Sequence, residues 1–104
     1  MILSVGEALI DFIPVQRGNG SEAVIPSPGG SPYNTAIALG RLGVDTGYLA
    51  RISTDMFGEM LVDTLEKNQV DTTLIRRTDQ PSTLAFVSYD NDSGEPSYAF
   101  YAND

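Results

Sequence analysis

The sequence has no cysteine, no histidine and no tryptophan, and it sets only 6 lysines and arginines against 14 acids in 104 residues. Each shortage excludes something. Without Cys or His there is no disulfide framework, no thiol nucleophile, no soft-ligand zinc site and no imidazole base. A net charge of −8 argues against nucleic acid as a partner, because binding it needs Lys and Arg to neutralise phosphates. The same balance argues against a basic helix lying on a membrane. No apolar run approaches the roughly 20 residues that span a bilayer. The apolar start, residues 1–11, lacks a basic n-region and carries Glu7 and Asp11, so it is no secretion signal. The expected location is the cytoplasm. Asn91-Asp92-Ser93 fits a glycosylation sequon, and without a signal it reads as a turn.

What is present reads as a soluble α/β chain. Ile2 to Val5 is a short apolar run closed by Gly6, the pattern of a buried strand. Residues 9–13 continue extended, and Pro14 is expected to end them. Residues 16–32 hold two glycines, Gly18 and Gly20, before the Gly29-Gly30 pair and prolines at 26, 28 and 32, so they read as loop, with 23–25 as a possible edge strand. A helix is expected over 33–42, with Ser31 as N-cap, Pro32 at the first position and Gly43 as its left-handed stop. Its apolar residues spread around the barrel, which predicts burial on more than one face. A strand at 48–52 follows. Asp55 then caps a helix from Met56 to about Lys67, with Phe57, Met60, Leu61 and Leu65 on one stripe. A third strand is expected at 73–76. This β-α-β-α-β order predicts a parallel α/β unit. After Pro81, two β-prone stretches at 83–89 and 97–101 flank turn chemistry at 90–94, the pattern of an antiparallel hairpin.

Common phosphate motifs are absent: there is neither a G-x-x-x-x-G-K-[ST] loop nor a G-x-G-x-x-G fingerprint. Asp90-x-Asp92-x-Gly94 matches a calcium loop poorly, with its glycine one position early and no bidentate Glu, and reads as a turn.

Three features carry possible chemistry. Gly29-Gly30 lets a ligand approach the backbone just before a helix whose first turn has free N–H groups. Asn34 sits near that mouth with one acceptor and two donors, a set suited to sugar hydroxyls. The plainer alternative is a tight turn feeding a helix. Asp11 interrupts an apolar run beyond the first strand, where a carboxylate needs hydrogen bonds, a partner or a cleft. Its plainer alternative is an exposed strand end. The third feature is the hairpin, which holds five of the nine aromatics, with five acids and no base from residue 78 onward. It packs on a core, covers a ligand or pairs with another subunit.

Read together, these residues resemble the ribokinase-like sugar kinases, the PfkB carbohydrate kinase family. The family's first signature matches Gly29-Gly30-Ser31-Pro32-Tyr33-Asn34, followed by Leu39-Gly40-Arg41-Leu42-Gly43. A Gly-Asp-Asp-x-Phe-Gly block matches Ser53-Thr54-Asp55-Met56-Phe57-Gly58, with Ser53 and Thr54 departing from it. Residues 6–12, 83–87 and Phe100-Tyr101 resemble the fructokinase branch.

The resemblance implies the amino-terminal part of a Rossmann-like parallel sheet, about 1–12 and 28–80. A small β-sheet lid would come from about 13–27 and 81–102. It implies an ATP-dependent kinase acting on a neutral sugar hydroxyl with Mg²⁺. Asp11, Gly29, Gly30 and Asn34 would contact the sugar, and Phe86 and Phe100 would shield it. A homodimer through the lid is also implied. Ala102 stands where relatives acting on 2-keto-3-deoxygluconate carry Arg, which favours fructose. The alternatives are a kinase for another substrate of the family (2-keto-3-deoxygluconate, ribose or a nucleoside) and a non-catalytic sugar-binding or assembly module.

No catalytic residue falls in these 104 positions, because the family's second signature, Gly-x-Gly-Asp, is missing. The expectation is therefore a sugar-binding portion that leaves sheet edges unpaired and a core face uncovered. Reading the gene beyond Asp104 checks this. A Gly-x-Gly-Asp segment in frame downstream is the expected result, and a stop codon at that point contradicts it.

Overall fold

The computed structural model describes residues 1–16, 18, 22–89 and 92–102. The expected turn at 90–94, with its sequon and calcium-loop match, falls partly outside them. Among the described residues the order is β1 (Ile2–Val5), β2 (Leu9–Gln16), β3 (Glu22–Gly29), α1 (Ser31–Arg41), β4 (Thr46–Leu49), β5 (Arg51–Ser53), α2 (Met56–Lys67), β6 (Val70–Asp71), β7 (Arg76–Thr78), β8 (Leu84–Tyr89) and β9 (Pro96–Tyr101). No described helix is long and apolar enough to cross a membrane.

The fold is α/β. Strands β1, β4 and β6 form a parallel sheet in that spatial order, and β5 and β7 form a parallel pair. A second, mixed sheet has the order β3-β2-β8-β9, antiparallel at both flanks and parallel where β2 meets β8. The radius of gyration is 15.2 Å, with extents of 46 × 31 × 24 Å. A compact domain of this length has about 13 Å. The excess matches a second sheet that projects from the first layer.

Both helices cover one face of the first layer. Ser4 Oγ donates to the Pro32 carbonyl at 2.7 Å, and the ring of Tyr48, which pairs with Ser4 across β1 and β4, meets Tyr33 edge-on at 5.7 Å. Tyr33 Oη in turn donates to the Leu61 carbonyl of α2 at 2.8 Å. Ile10, Ile37, Ile52, Leu61, Leu65 and Val70 complete the core between them. Strand alternation turns Leu3 and Val5 to the opposite face, where they are 42% and 59% exposed. Parallel sheets are normally covered on both faces. Among the described residues, this one is covered on one.

Several elements differ from the sequence reading. The described part of residues 16–32 is not mainly loop. Strand β3 runs for eight residues and pairs with all of β2, from Leu9 opposite Gly29 to Gln16 opposite Glu22. Its prolines are tolerated because β3 is an edge strand, whose outward N–H groups have no ladder partner. Pro14 does not end β2 either. The pairing of β2 with β8 stops at Phe12, so beyond it β2 has a free side that needs no donor.

Helix α1 starts one residue earlier than expected. Gly30 is the N-cap, with φ 109° and no side-chain cap bond, and Ser31 is the first helical residue. A Cβ at residue 30 would lie 2.7 Å from the Glu7 carbonyl oxygen, so close backbone packing selects glycine over a capping side chain. The helix buries Tyr33, Ala36, Ile37 and Gly40, a single stripe at i, i+3, i+4 and i+7. Ala38 and Leu42 face outward, so burial on more than one face does not occur.

Helix α2 follows its expectation, with Asp55 Oδ1 accepting from Gly58 N at 2.8 Å. The strand expected at 48–52 breaks at Ala50, whose carbonyl accepts from Arg76 N at 3.0 Å. The strand expected at 73–76 shifts to Arg76–Thr78. Asp71 Oδ1 accepts from Thr73 N at 2.8 Å, and this side-chain turn takes up the β-prone residues.

Gly58 places α2 directly on the end of β5, where a Cβ would collide with the Ser53 carbonyl oxygen. Ala is favoured over Gly in a helix by about 1 kcal/mol, but here the obstacle is backbone. Gly58→Ala is expected to lower stability by about 1–3 kcal/mol in urea denaturation. An unchanged or higher midpoint counts against this packing.

Candidate functional site

The chain passes between its two layers three times: through residues 6–8 from β1 to β2, through Gly30 from β3 to α1, and through residues 79–83 from β7 to β8. These crossings lie against one another. Gly30 packs on the Glu7 and Ala8 backbone, Ile10 N donates to the Thr83 carbonyl at 3.0 Å, and Tyr48 Oη donates to the Gly6 carbonyl at 2.7 Å. A cavity of about 520 Å³ opens among them, lined by Gly6, Glu7, Ala8, Ser82 and Thr83 together with Arg51 and Arg76. It contains none of the six residues expected to hold or shield a sugar.

Those six are divided by strand alternation. Asp11 stands opposite Ser27 of β3 and Ala85 of β8, and Ala85 stands opposite Phe100 of β9. Directly paired residues share a face, so Asp11, Ala85 and Phe100 lie on the same side of the second sheet. Gly29 joins them, because a side chain there would collide with Asp11 Oδ2. Phe86 does not. It pairs with Phe12 and stacks on it at 4.7 Å, and Phe12 meets Phe57 of α2 edge-on at 5.6 Å. Phe86 therefore faces the core side, which corrects its expected place beside Phe100. Tyr98, one of the five hairpin aromatics but not among the expected site residues, stacks beside Phe100 at 6.0 Å on the Asp11 side. Period-2 counting back from Phe100 would have found it.

Asn34 lies in the first turn of α1, where its backbone N–H donates to the Gly30 carbonyl at 2.8 Å. Its side chain is exposed and lines a groove of about 400 Å³ with Ser27, the cross-strand partner of Asp11. Among the described residues, no hydrogen bond or ion pair engages the side chains of Asp11 or Asn34. One free acceptor and one amide that both donates and accepts are thus available to a polyhydroxyl ligand.

The charged surroundings are uneven. Arg51 and Arg76 face each other in register across β5 and β7. Like charges so placed repel, by about 0.2–1 kcal/mol, and they make one wall of the 520 Å³ cavity cationic in an acidic chain. Arg77, on the other face, is engaged by Glu59 and by the Ile52 and Ser53 carbonyls. Burial pushes the Tyr33 hydroxyl up to about 12, against a weaker opposing bond with Thr64, and burial likewise raises Tyr48, helped by Tyr33 and Glu7. Both stay neutral donors. No described group of three or more acids is placed to hold a metal ion.

Asp55 is a heavily bonded carboxylate. Besides Gly58 N, its Oδ1 accepts from Ser82 Oγ at 2.7 Å, and its Oδ2 accepts from Ser82 N at 2.9 Å. Partial burial pushes its pKa up, but the bonds from Ser82, Gly58 and Ser53 outweigh that and hold it below the ordinary value.

With this geometry in place, comparison with known proteins gives a consistent result. The family described as pfkB family carbohydrate kinase matches residues 1–104. A fructokinase of Rhizobium leguminosarum bv. trifolii is 48% identical over 101 residues, covering 97% of this chain and 30% of that protein. The crystal structure of fructokinase from Xylella fastidiosa superposes with a TM-score of 0.88 at 38% identity, over 97% of this chain and 33% of that one. The same enzyme with bound ATP gives a TM-score of 0.87 at 36% identity, over 97% and 32%. The chain spans about a third of the length of these relatives.

A depressed carboxylate pKa adds stability that is present above the unfolded value, about 3.9, and is lost as pH falls through the folded one. The stability gap between wild type and Asp55→Asn should therefore be widest above about pH 4 and narrow below it. Urea denaturation at several pH values checks this; a gap constant from pH 6 to pH 3 contradicts the assignment.

Proposed function

Because the chain belongs to the pfkB family of carbohydrate kinases, we propose that the complete protein transfers the γ-phosphoryl group of ATP to a hydroxyl of a neutral sugar, fructose, and that this portion binds the sugar. The observation that carries the reading is Asp11. Among the described residues its carboxylate has no hydrogen-bond or ion-pair partner, and it lies against Gly29 and shares a sheet face with Phe100 and Tyr98. The fructokinases among its relatives support the choice of sugar.

On this reading residues of about 1–12 and 28–80 belong to the core, and those of about 13–27 and 81–102 form a lid. Asp11 accepts two sugar hydroxyls in charge-assisted bonds of roughly 1.5–3 kcal/mol each. Gly29 and Gly30 let the sugar approach the backbone. Asn34 donates to one hydroxyl and accepts from another. Phe100, with Tyr98, keeps water off the reacting side. Phe86 has no place in this set, since it serves the packing on Phe12 and α2. ATP supplies the phosphoryl group when bound. On this reading Mg²⁺, the catalytic base and most of the nucleotide site belong to the remainder of the complete protein. The uncovered face of Leu3 and Val5 is where that remainder packs. The exposed tyrosines and Phe100 of β9 support pairing of two lids in a homodimer.

The test is ATP-dependent phosphorylation of fructose by the complete gene product. Asp11→Ala removes about 3 kcal/mol of sugar binding, so kcat/KM for fructose should fall about 100-fold while KM for ATP changes little. Asn34→Ala should mainly raise KM for fructose. Equal loss toward both substrates, or no turnover of fructose by wild type, contradicts the reading.

A further inference from the structure

We propose that Asp55 is a positioning residue, which through Ser82 sets the point where the third crossing enters the second sheet and so sets the height of Asp11 above the first layer. The inference rests on the sugar-binding role of Asp11 for its functional consequence, but not for its geometry.

One carboxylate serves two elements. Toward α2 it caps the helix through Gly58 N, at 2.8 Å. Toward the crossing it receives both donors of Ser82, the hydroxyl at 2.7 Å and the backbone N–H at 2.9 Å. The next residue, Thr83, accepts from Ile10 N at 3.0 Å. Strand β8 starts one residue later, and its first pairs are Leu84 with Ile10 and Ala85 with Asp11. From Asp55 to the strand that bears Asp11 there are thus two bonded steps. A second contact runs alongside, the edge-on packing of Phe57 in α2 against Phe12, the residue after Asp11. A helix cap alone needs one acceptor. Here both oxygens are used, and the second makes no bond within the helix.

The two roles separate by substitution. Asp55→Asn keeps one oxygen for the cap but replaces the other with an NH₂ that faces the Ser82 N–H, donor against donor. Ser82→Ala removes only the hydroxyl bond, and Ser82→Thr keeps it. In the complete gene product, Asp55→Asn should raise KM for fructose about tenfold with KM for ATP unchanged. Ser82→Ala should raise it severalfold, and Ser82→Thr should restore it. Amide hydrogen exchange at Ile10 should quicken about tenfold in Asp55→Asn and less in Ser82→Ala.

If Asp55→Asn lowers the melting temperature while fructose KM and Ile10 exchange stay at wild-type values, Asp55 is a cap only and the proposal is overturned. If Asp55→Asn does not fold, Ser82→Ala against Ser82→Thr decides by the same two readouts. If the wild-type protein does not use fructose, the sugar reading fails, and exchange at Ile10 still decides whether Asp55 holds the crossing.

Discussion

The packing of Gly30 on the Glu7 carbonyl is the constraint on which the rest of the architecture depends. The chain must leave its first layer, build a projecting sheet and return, and it does so at one place. At 2.7 Å from that oxygen there is no room for a Cβ, so the backbones themselves are in contact. That contact fixes the start of α1, because Gly30 is also its N-cap. It fixes the neighbourhood of Asp11 too, since the preceding residue, Gly29, is the one the carboxylate lies against. The outward crossing is held by Tyr48, a neutral donor because burial keeps its hydroxyl protonated. The last crossing has no glycine of this kind and is held by a carboxylate instead.

Much of this was legible in the sequence where a local rule acts alone. The stripe of α2, its Asp55 cap and the hairpin at 83–101 need only periodicity and side-chain chemistry. The errors arise where a distant element overrides the local rule. Pro26 and Pro28 suggest loop when read singly, yet an edge strand accepts them. Ser31 looks like a cap, but the cap position is taken by a glycine that only Glu7, far away in sequence, requires. The β-prone Thr73 and Leu74 yield to a turn set by Asp71.

The candidate site shows the same division. Asp11, Gly29 and Phe100 share a face because two registers happen to align them, and no single segment encodes that alignment. Phe86 was misplaced for the same reason: hydrophobicity marked it as important, but one step along a strand reverses the face. The choice of Asn34 relied on donor and acceptor counting, which survives whatever the fold. The identity of the family was the most legible feature, since it needs the order of motifs and not their geometry.

The prolines of β3 have a further consequence. The second sheet ends on unlike borders. Pro26 and Pro28 lie along the β3 border and deny an incoming strand part of its hydrogen-bond ladder. The β9 border has proline only at its first position, Pro96, and from Ser97 to Tyr101 its backbone is open. Growth of this sheet by a strand from outside is therefore one-directional: β9 can accept a neighbour, and β3 terminates the array.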